Sequence, residues 1–457
     1  MPLNKKYIWG SALLALLLCV AQIIGNSIIL LGVLACFIAF LAWACLENYT
    51  LPILLFFLPW ASILRLSTES YSFYTFGLVM ISLMCIIKKQ FRFKNMYLTT
   101  GLIITLLTLL AKLLNGHFLT FDYIAFMMLL FVFPVVKEEY LAGKYDFYVV
   151  VIFLSLGTII AALCAKQFMG YPNIRDYINV HSYLNITRMT GFYDDPNFYA
   201  AQITAASGGC FFLILKQTER KRILFIALLL VLLLYCGILS GSKSFAMVFA
   251  LIAGLWYLEI VRMRGRFGLK VVLIIGSILL ATYVAGSAVF GGWIQVIITR
   301  FSFATDFSSF TTGRTELWNN YFHAISSDVK LALLGQGFSQ TLVKGRASHS
   351  TILQIIYQFG LLGAPVLCTW IVFFFRDTFN YGKIKKGQLL SVLMIATGVF
   401  LPWMAIDALF FDEFFLFQMY VFVALQEMRV SAPRQLSPEG QPMARPRRSS
   451  IRFVWRS

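Results

Sequence analysis

Long apolar runs, separated by short polar connections, alternate along almost the whole chain. A helix of about 20 apolar residues crosses a bilayer, and a chain in lipid must satisfy its backbone hydrogen bonds internally. The pattern therefore predicts an all-α integral membrane protein, a polytopic helical bundle of about 12–14 transmembrane helices. The predicted spans lie near residues 7–24, 27–45, 51–64, 72–87, 97–114, 119–136, 147–164, 198–215, 223–240, 244–261, 271–288, 350–375, 388–405 and 409–426.

Two regions leave the span count open. The run 51–64 is short and contains two prolines, and the last two runs are crowded by the carboxylates of Asp407, Asp412 and Glu413. The first run, 7–24, follows two lysines but lacks a convincing small-residue cleavage site, so we interpret it as an uncleaved first helix rather than a signal peptide.

The runs and the connections between them divide the chain into six units. These are N-terminal transmembrane helices (1–164), a first long extracytoplasmic loop (165–197), central transmembrane helices (198–288), a large extracytoplasmic loop (289–349), C-terminal transmembrane helices (350–428) and a tail (429–457). The tail is rich in Pro, Ser and Arg, which predicts a disordered basic cytoplasmic extension.

Composition agrees with the membrane assignment. Of the 457 residues, 60% are hydrophobic and only 13% are charged, and the mean hydropathy is +0.79, which excludes a soluble globular protein. All eight cysteines fall inside apolar runs without a CxxC pair, so neither a disulfide framework nor a zinc site is expected. No other metal motif is present, and we expect no metal and no cofactor.

The lysines and arginines predict the orientation. Most of the 38 cluster in alternate short loops, together with Lys5, Lys6 and the arginines of the tail. Because cytoplasmic loops carry the excess of Lys and Arg, we expect both termini to be cytoplasmic. Three of the remaining cations, Arg65, Lys112 and Lys243, then lie beside short outer connections. Long outer loops tolerate charge, which accounts for most of the other outer cations but not for these three. The alternative explanation is an anionic ligand held at the outer membrane face.

The large loop contains a predicted amphipathic helix beginning near Arg314. Leu317, Trp318, Tyr321 and Phe322 recur at helical spacing after it. Because Arg314 lies in the first turn, its guanidinium and the free backbone N–H groups could bind one phosphate. The alternative is an interfacial Arg–Trp anchor without a ligand.

A second group of candidates precedes the apolar run 350–375. Lys344 and Arg346 lead into His349, which is a candidate general base or a simple helix-entry residue. Gly335 and Gly337 suit a tight backbone turn near a ligand.

A third group joins two shorter motifs. The segment from Arg188 to Asn197 carries Asp194 and Asp195, which could contact a sugar hydroxyl or simply favour the N-terminus of a helix beginning near Pro196. The turn around Lys243, Ser240-Gly-Ser-Lys-Ser244, offers either phosphate-binding geometry or only a hairpin.

Taken in order, these motifs resemble those of the O-antigen ligase/polymerase superfamily of bacterial cell-envelope proteins. The matching elements are Arg188-x-x-Gly191-Phe-x-x-Asp195-Pro196-Asn197, Ser240-Gly-Ser-Lys243-Ser, Arg314-x-x-x-Trp318, Gly335-x-Gly337, and His349 followed by Gly360-x-x-Gly363. The resemblance covers about residues 185–375, and Lys243 and Ser350 stand where many members have Arg and Asn.

The resemblance implies a GT-C-like architecture in the bacterial inner membrane, with an active site facing the periplasm. It implies metal-independent, inverting transfer of an undecaprenyl diphosphate-linked glycan to a glycan or lipid A-core acceptor. In this reading Arg188, Arg314, Lys243, Arg346 and Lys344 bind the diphosphate. His349 is the catalytic base, and Asp195, Asn197 and Trp318 bind the sugar or the acceptor.

The particular residues of these motifs favour a polymerase of O-antigen, capsule or exopolysaccharide repeat units. An O-antigen ligase is the alternative, and a lipid-linked oligosaccharide flippase or transporter is a second. Expected partners are the lipid-linked donor, the acceptor and membrane lipids, with a chain-length regulator as a further candidate. No nucleic acid is expected.

Overall fold

The computed structural model describes residues 3–89, 94–143, 146–178, 182–183, 186–193, 195–263, 295, 298–299, 301–302, 313–339, 341–380 and 388–428. Within these ranges the chain is helical apart from one antiparallel pair of two-residue strands, β1 (Ser182–Tyr183) and β2 (Ile186–Thr187). The predicted span 271–288, the residue Asp194 and the basic tail 429–457 lie outside the described residues.

Sixteen α-helices follow one another in the described parts of the chain. They are α1 Lys5–Ile24, α2 Ser27–Leu46, α3 Thr50–Phe57, α4 Phe73–Lys89, α5 Asn95–Asn115, α6 Phe121–Gly143, α7 Phe147–Phe168, α8 Pro172–Arg175, α9 Pro196–Lys216, α10 Arg220–Ser240, α11 Lys243–Met263, α12 Arg314–Ser327, α13 Val329–Leu334, α14 Thr351–Asn380, α15 Leu389–Phe400 and α16 Glu413–Glu427.

Eight of these helices are long and apolar enough to cross a membrane: α1, α2, α5, α7, α9, α10, α11 and α14. The prediction of an all-α polytopic membrane protein is therefore confirmed. Helices α3, α4 and α15 are apolar but shorter, so the full count of twelve to fourteen spans stays a prediction.

Local sequence explains where the helices begin and end. Asn26 caps α2 by accepting the N–H groups of Ile28 and Ile29, and Gly25 ends α1 in the left-handed conformation. Helix α9 begins at Pro196, as predicted, because Asp195 accepts the N–H of Asn197 and proline suits the first helical position. These caps make the sharp turns between neighbouring helices.

The centre of the bundle is formed by α7 and α9. Helix α9 packs against α7, α10 and α15, and α7 packs against α3. Small residues allow the close approach: Thr204 Oγ1 donates to the Gly398 carbonyl at 2.9 Å, and Trp60 Nε1 donates to the Gly157 carbonyl at 3.2 Å. Glycines and hydroxyls thus replace bulky side chains where helices cross.

Several hydrogen bonds define one end of the bundle, which we call the site end. There the C-terminal end of α5 meets the segment before α14, since the Asn115 side chain donates to the Gly335 carbonyl at 3.1 Å. The segment carrying Arg188 meets the C-terminal end of α10, since Arg188 Nε donates to the Ser240 carbonyl at 2.8 Å. The three candidate groups of the sequence analysis therefore lie at the same end.

Gly335 and Gly337 both have positive φ, so the predicted backbone turn is present, and a ligand beside it stays a prediction. Gly337 N–H donates to the Gln358 carbonyl at 2.9 Å. A Cβ on Gly335 would lie 2.6 Å from Gly360 N, so this glycine lets the loop cross α14 at its Gly360 kink. A Cβ on Gly337 would lie 2.7 Å from the Thr108 carbonyl oxygen, so this glycine lets the loop approach α5.

Replacing Gly157 should destabilise the bundle. A Cβ at this position would lie 2.1 Å from the Phe56 carbonyl oxygen, so Gly157→Ala forces α3 and α7 apart and should cost about 1–3 kcal/mol. The matched control is Gly32→Ala on α2, where the added Cβ has no neighbour within 4 Å and the helix gains propensity. Thermal unfolding in detergent checks this; equal midpoints for the two variants would contradict it.

Candidate functional site

A cavity of about 620 Å³ opens at the site end. Eight of the nine predicted site residues line it: Arg188, Asp195, Asn197, Lys243, Arg314, Trp318, Arg346 and His349. We call it the cationic cavity, because the described residues of its walls include four lysine and arginine side chains and a single carboxylate, Asp195. The eight predicted residues come from four separate stretches of sequence and converge on this one space.

The Arg188 segment is attached to the end of α10. Besides the side-chain hydrogen bond to Ser240, the backbone N–H of Met189 donates to the Leu239 carbonyl at 2.9 Å. Gly191 has φ +60°, and a Cβ there would press on the Tyr199 ring at 3.1 Å. The glycine therefore lets the chain turn directly into α9 and keeps Arg188 and Asp195 on the same cavity wall.

The turn bearing Lys243 is joined to the same wall through Asn197. Ser242 Oγ donates to Asn197 Oδ1 at 2.8 Å, and Asn197 Nδ2 donates to Asp195 Oδ1 at 2.7 Å. The side chain of Asn197 thus links two motifs that were identified separately in the sequence. Its amide is occupied by these contacts, and the residue positions Lys243 relative to Asp195.

Helix α12 begins at Arg314, as the sequence predicts, and holds the loop that precedes α14. Trp318 Nε1 donates to the Ser348 carbonyl at 3.1 Å, and the buried Tyr321 OH donates to the Arg346 carbonyl at 2.9 Å. The indole and the phenol therefore fix the backbone on either side of Ala347, which places Arg346 and His349 in the cavity wall.

His349 is held by a carboxylate from a distant part of the chain. Asp407, which is only 5% exposed, accepts hydrogen bonds from Ser348 Oγ (2.8 Å), from Ser350 N (2.9 Å) and from His349 N (3.1 Å). Burial raises the pKa of the Asp407 carboxyl, and the hydrogen bond from Ser348 opposes that rise.

The backbone of His349 adopts φ +49°, a conformation that non-glycine residues rarely adopt. The Asp407 hydrogen bonds hold this conformation and direct the imidazole to the cavity. The side chain is 37% exposed, and its Nδ1 lies 3.9 Å from Asp195 Oδ2. That separation is longer than a hydrogen bond.

A second cavity, of about 590 Å³, adjoins the first and shares Asp195, Ala347 and His349 with it. We call it the acidic cavity, because six carboxyl residues line it: Glu69, Asp122, Asp195, Asp407, Asp412 and Glu413. His349 therefore stands between a cationic and an acidic space.

Some predicted residues lie elsewhere. Lys344 is exposed and donates to Asn320 Oδ1 at 2.8 Å, away from the cationic cavity. Lys112, one of the outer cations, is buried, and its Nζ donates to the Phe118 carbonyl at 3.1 Å, so it closes the α5–α6 connection. Arg65 lines the acidic cavity instead.

Sequence reasoning did not identify Asp407 as the residue that holds His349. The sequence shows that three carboxylates stand in the otherwise apolar stretch at the start of α16. It does not show which residues each carboxylate contacts. Among the described residues, no group of three or more His, Cys, Asp or Glu side chains has an arrangement suited to a metal ion.

No known family model matches the chain, and a search of curated proteins finds no match either.

Replacing Asp407 should loosen the loop around His349. In the wild-type protein three donors share the Asp407 carboxylate. In Asp407→Asn one carboxylate oxygen becomes an NH₂ group, which cannot accept, so at least one buried donor loses its partner. The loss should lower the free energy of unfolding by about 1–3 kcal/mol. We expect amide exchange across 347–352 to become roughly tenfold faster or more, as measured by hydrogen–deuterium exchange.

The matched control for that substitution is Asp328→Asn. Asp328 likewise accepts two backbone N–H groups, from Lys330 at 2.8 Å and Leu331 at 3.2 Å, but it caps the exposed start of α13. Its replacement should affect exchange only around 328–332. Unchanged exchange across 347–352 in Asp407→Asn would refute the assignment.

Proposed function

We propose that the protein is a glycosyltransferase that polymerises lipid-linked polysaccharide repeat units. In this proposal it transfers a glycan from an undecaprenyl diphosphate-linked donor to a sugar hydroxyl, with inversion at the reacting carbon and without a metal ion. The observation that carries the proposal is the convergence of four cations and His349 on one cavity.

The donor diphosphate suits the cationic cavity. Arg188, Arg314 and Arg346 present planar guanidinium groups, which bind phosphate oxygens through paired hydrogen bonds, and Lys243 adds a point charge. When the bond between the sugar carbon and the phosphate oxygen breaks, negative charge develops on the leaving diphosphate. Fixed cations in a partly enclosed space stabilise that charge.

The walls of the cationic cavity also suit a lipid. Met247, Leu401 and Met404 line it and are 45%, 39% and 39% exposed. Exposed apolar side chains of a membrane protein can contact acyl chains. In this proposal the prenyl chain of the donor lies against these side chains while its diphosphate enters the cavity.

His349 is the base in this proposal. It takes the proton from the acceptor hydroxyl as the oxygen bonds to the sugar carbon, and the diphosphate departs with the electron pair of the broken bond. The carboxylate of Asp195, 3.9 Å away, stabilises the imidazolium that forms. Asp407 is a positioning residue, which acts through the backbone N–H groups of His349 and Ser350 and the hydroxyl of Ser348.

The proposal assigns the site end to the periplasmic face of a bacterial inner membrane, in agreement with the distribution of lysines and arginines. An O-antigen ligase would use the same donor chemistry with lipid A-core as the acceptor. The two functions share every residue of the cationic cavity, so they are separated by the acceptor that is used.

The first test uses proteoliposomes with an undecaprenyl diphosphate-linked repeat unit as the sole substrate and EDTA present. A ladder of products on a gel supports the polymerase. Transfer only after lipid A-core is added would indicate a ligase. Movement of the donor across the bilayer without new glycosidic bonds would overturn the enzyme proposal in favour of a transporter.

His349→Ala should lower turnover by roughly 100-fold or more, because the acceptor hydroxyl loses its base, while undecaprenyl diphosphate binding stays near the wild-type value. The control is His323→Ala, since His323 is an exposed histidine of α12 that does not line the cavity. Undiminished product formation by His349→Ala would remove this residue as the base.

Arg314→Ala should instead weaken undecaprenyl diphosphate binding by roughly 10-fold to 100-fold, as expected for the loss of charged hydrogen bonds. Arg175→Ala, which removes an exposed arginine from α8, is the matched control and should bind normally. Equal affinities for the two variants would exclude Arg314 from the donor site.

A further inference from the structure

The acidic cavity has no part in holding the diphosphate, yet it opens onto the same histidine. It shares His349, Asp195 and Ala347 with the cationic cavity, and its volume of about 590 Å³ falls within the range of small-ligand sites, about 300–1,000 Å³. A molecule bound there would lie beside the same histidine as a donor bound in the adjoining cavity.

The side-chain amide of Gln354 is completely buried and lines the cavity. Its Oε1 accepts from Gln358 at 3.4 Å, and its Nε2 makes no hydrogen bond of good geometry, although the side chain interacts with the Tyr321 hydroxyl. A buried amide N–H without a partner is costly, so such groups are usually paired with protein, water or a ligand. The amide is a ready donor to a ligand oxygen.

The carboxylate of Asp412 can accept further hydrogen bonds. Asp412 accepts one hydrogen bond, from Thr75 Oγ1 at 2.7 Å, and a carboxylate has about four acceptor sites. Glu413, by comparison, is held by Tyr193 OH at 2.8 Å and Gln202 Nε2 at 3.2 Å. Asp412 thus remains able to receive the hydroxyl groups of a polyol.

Aromatic rings form the rim. Tyr71 and Phe121 lie with ring centroids 4.3 Å apart, and Phe198 and Phe411 with centroids 4.7 Å apart. Tyr71 is 52% exposed and Phe411 is 45% exposed. Exposed rings beside hydrogen-bonding carboxylates fit a sugar, whose ring has an apolar C–H face and a polar edge.

The charged residues of the acidic cavity restrict which kind of sugar can bind there. Six carboxyl residues face one guanidinium, that of Arg65, together with the shared His349. A carboxylate or phosphate on the bound molecule would be repelled, since like charges brought together at a binding site cost several kcal/mol and reject the wrong ligand. Hydroxyl and ammonium groups are accommodated.

We infer that the acidic cavity binds the acceptor glycan and selects one that carries no negative charge near its reacting end, that is, a neutral or amino-sugar acceptor. The inference rests on the proposed function for the role of acceptor, but the charge preference is a property of the cavity itself. The acceptor hydroxyl gives its proton to His349 and bonds to the donor sugar carbon, while the bond from that carbon to the diphosphate breaks.

The test measures binding of three tetrasaccharides of equal length to the full chain in lipid nanodiscs. The probes are tetra-N-acetylchitotetraose (neutral), its fully deacetylated form (cationic) and tetragalacturonate (anionic). We expect the anionic probe to bind at least roughly tenfold more weakly than the neutral one. Equal affinities, or failure of all three to bind, would overturn the inference.

Two variants test which residues cause the preference for the neutral over the anionic probe. The double variant Asp122→Asn/Asp412→Asn should narrow the gap between neutral and anionic probes severalfold, because it removes two negative charges from the cavity with little change in shape. Asp176→Asn, an exposed carboxylate after α8, should leave the gap unchanged. A gap that persists in the double variant would place the selectivity elsewhere and overturn the inference.

Binding of undecaprenyl diphosphate is measured on the same preparations. Normal lipid binding by the double variant shows that it is folded. If the lipid binds but the tetrasaccharides are not distinguished by charge, the inference fails and the proposed function stands. If tetrasaccharides are distinguished but the wild-type chain does not bind the lipid, the proposed function fails and the charge preference stands.

Discussion

The buried carboxylate of Asp407 is the contact on which the geometry of the site depends. It accepts the backbone N–H groups of His349 and Ser350 and the hydroxyl of Ser348, and so holds His349 in a left-handed conformation at the entrance to α14. A charged acceptor shared by several donors forms stronger hydrogen bonds than a neutral one. Thr351 Oγ1 adds a second attachment to the same segment, since it donates to the Ile406 carbonyl at 2.7 Å.

The cationic cavity and the acidic cavity adjoin each other but differ in charge, because different segments of the chain form their walls. The cationic cavity is formed where the start of α9 meets α11 and α12, whereas the acidic cavity lies among the segments before α4, α6 and α16. His349 and Asp195 belong to both. In the proposed function, the histidine that lines both spaces meets a diphosphate donor in one and an uncharged acceptor in the other.

Much of the fold follows from local patterns. Apolar run length placed α1, α2, α5, α7, α9, α10, α11 and α14 within a few residues, and the Pro196 and Arg314 helix starts were predicted from capping and spacing. Eight of the nine candidate site residues, which were taken from polar motifs and a family resemblance, line the cationic cavity, and their roles stay predictions. The turn predicted at Gly335 and Gly337 is present, but the sequence could not show which backbone lies beside it.

The sequence by itself determined that this is a membrane-embedded helical protein with cations and a histidine concentrated in a few polar segments, since hydrophobicity and charge are properties of each stretch alone. Only the tertiary structure decided that those segments share one cavity. It also decided that Asp407, 58 residues beyond His349, holds the histidine loop and that Lys112 and Lys344 lie apart from the site. Such pairings depend on how the helices cross, and helix crossing is set by packing between residues far apart in the chain.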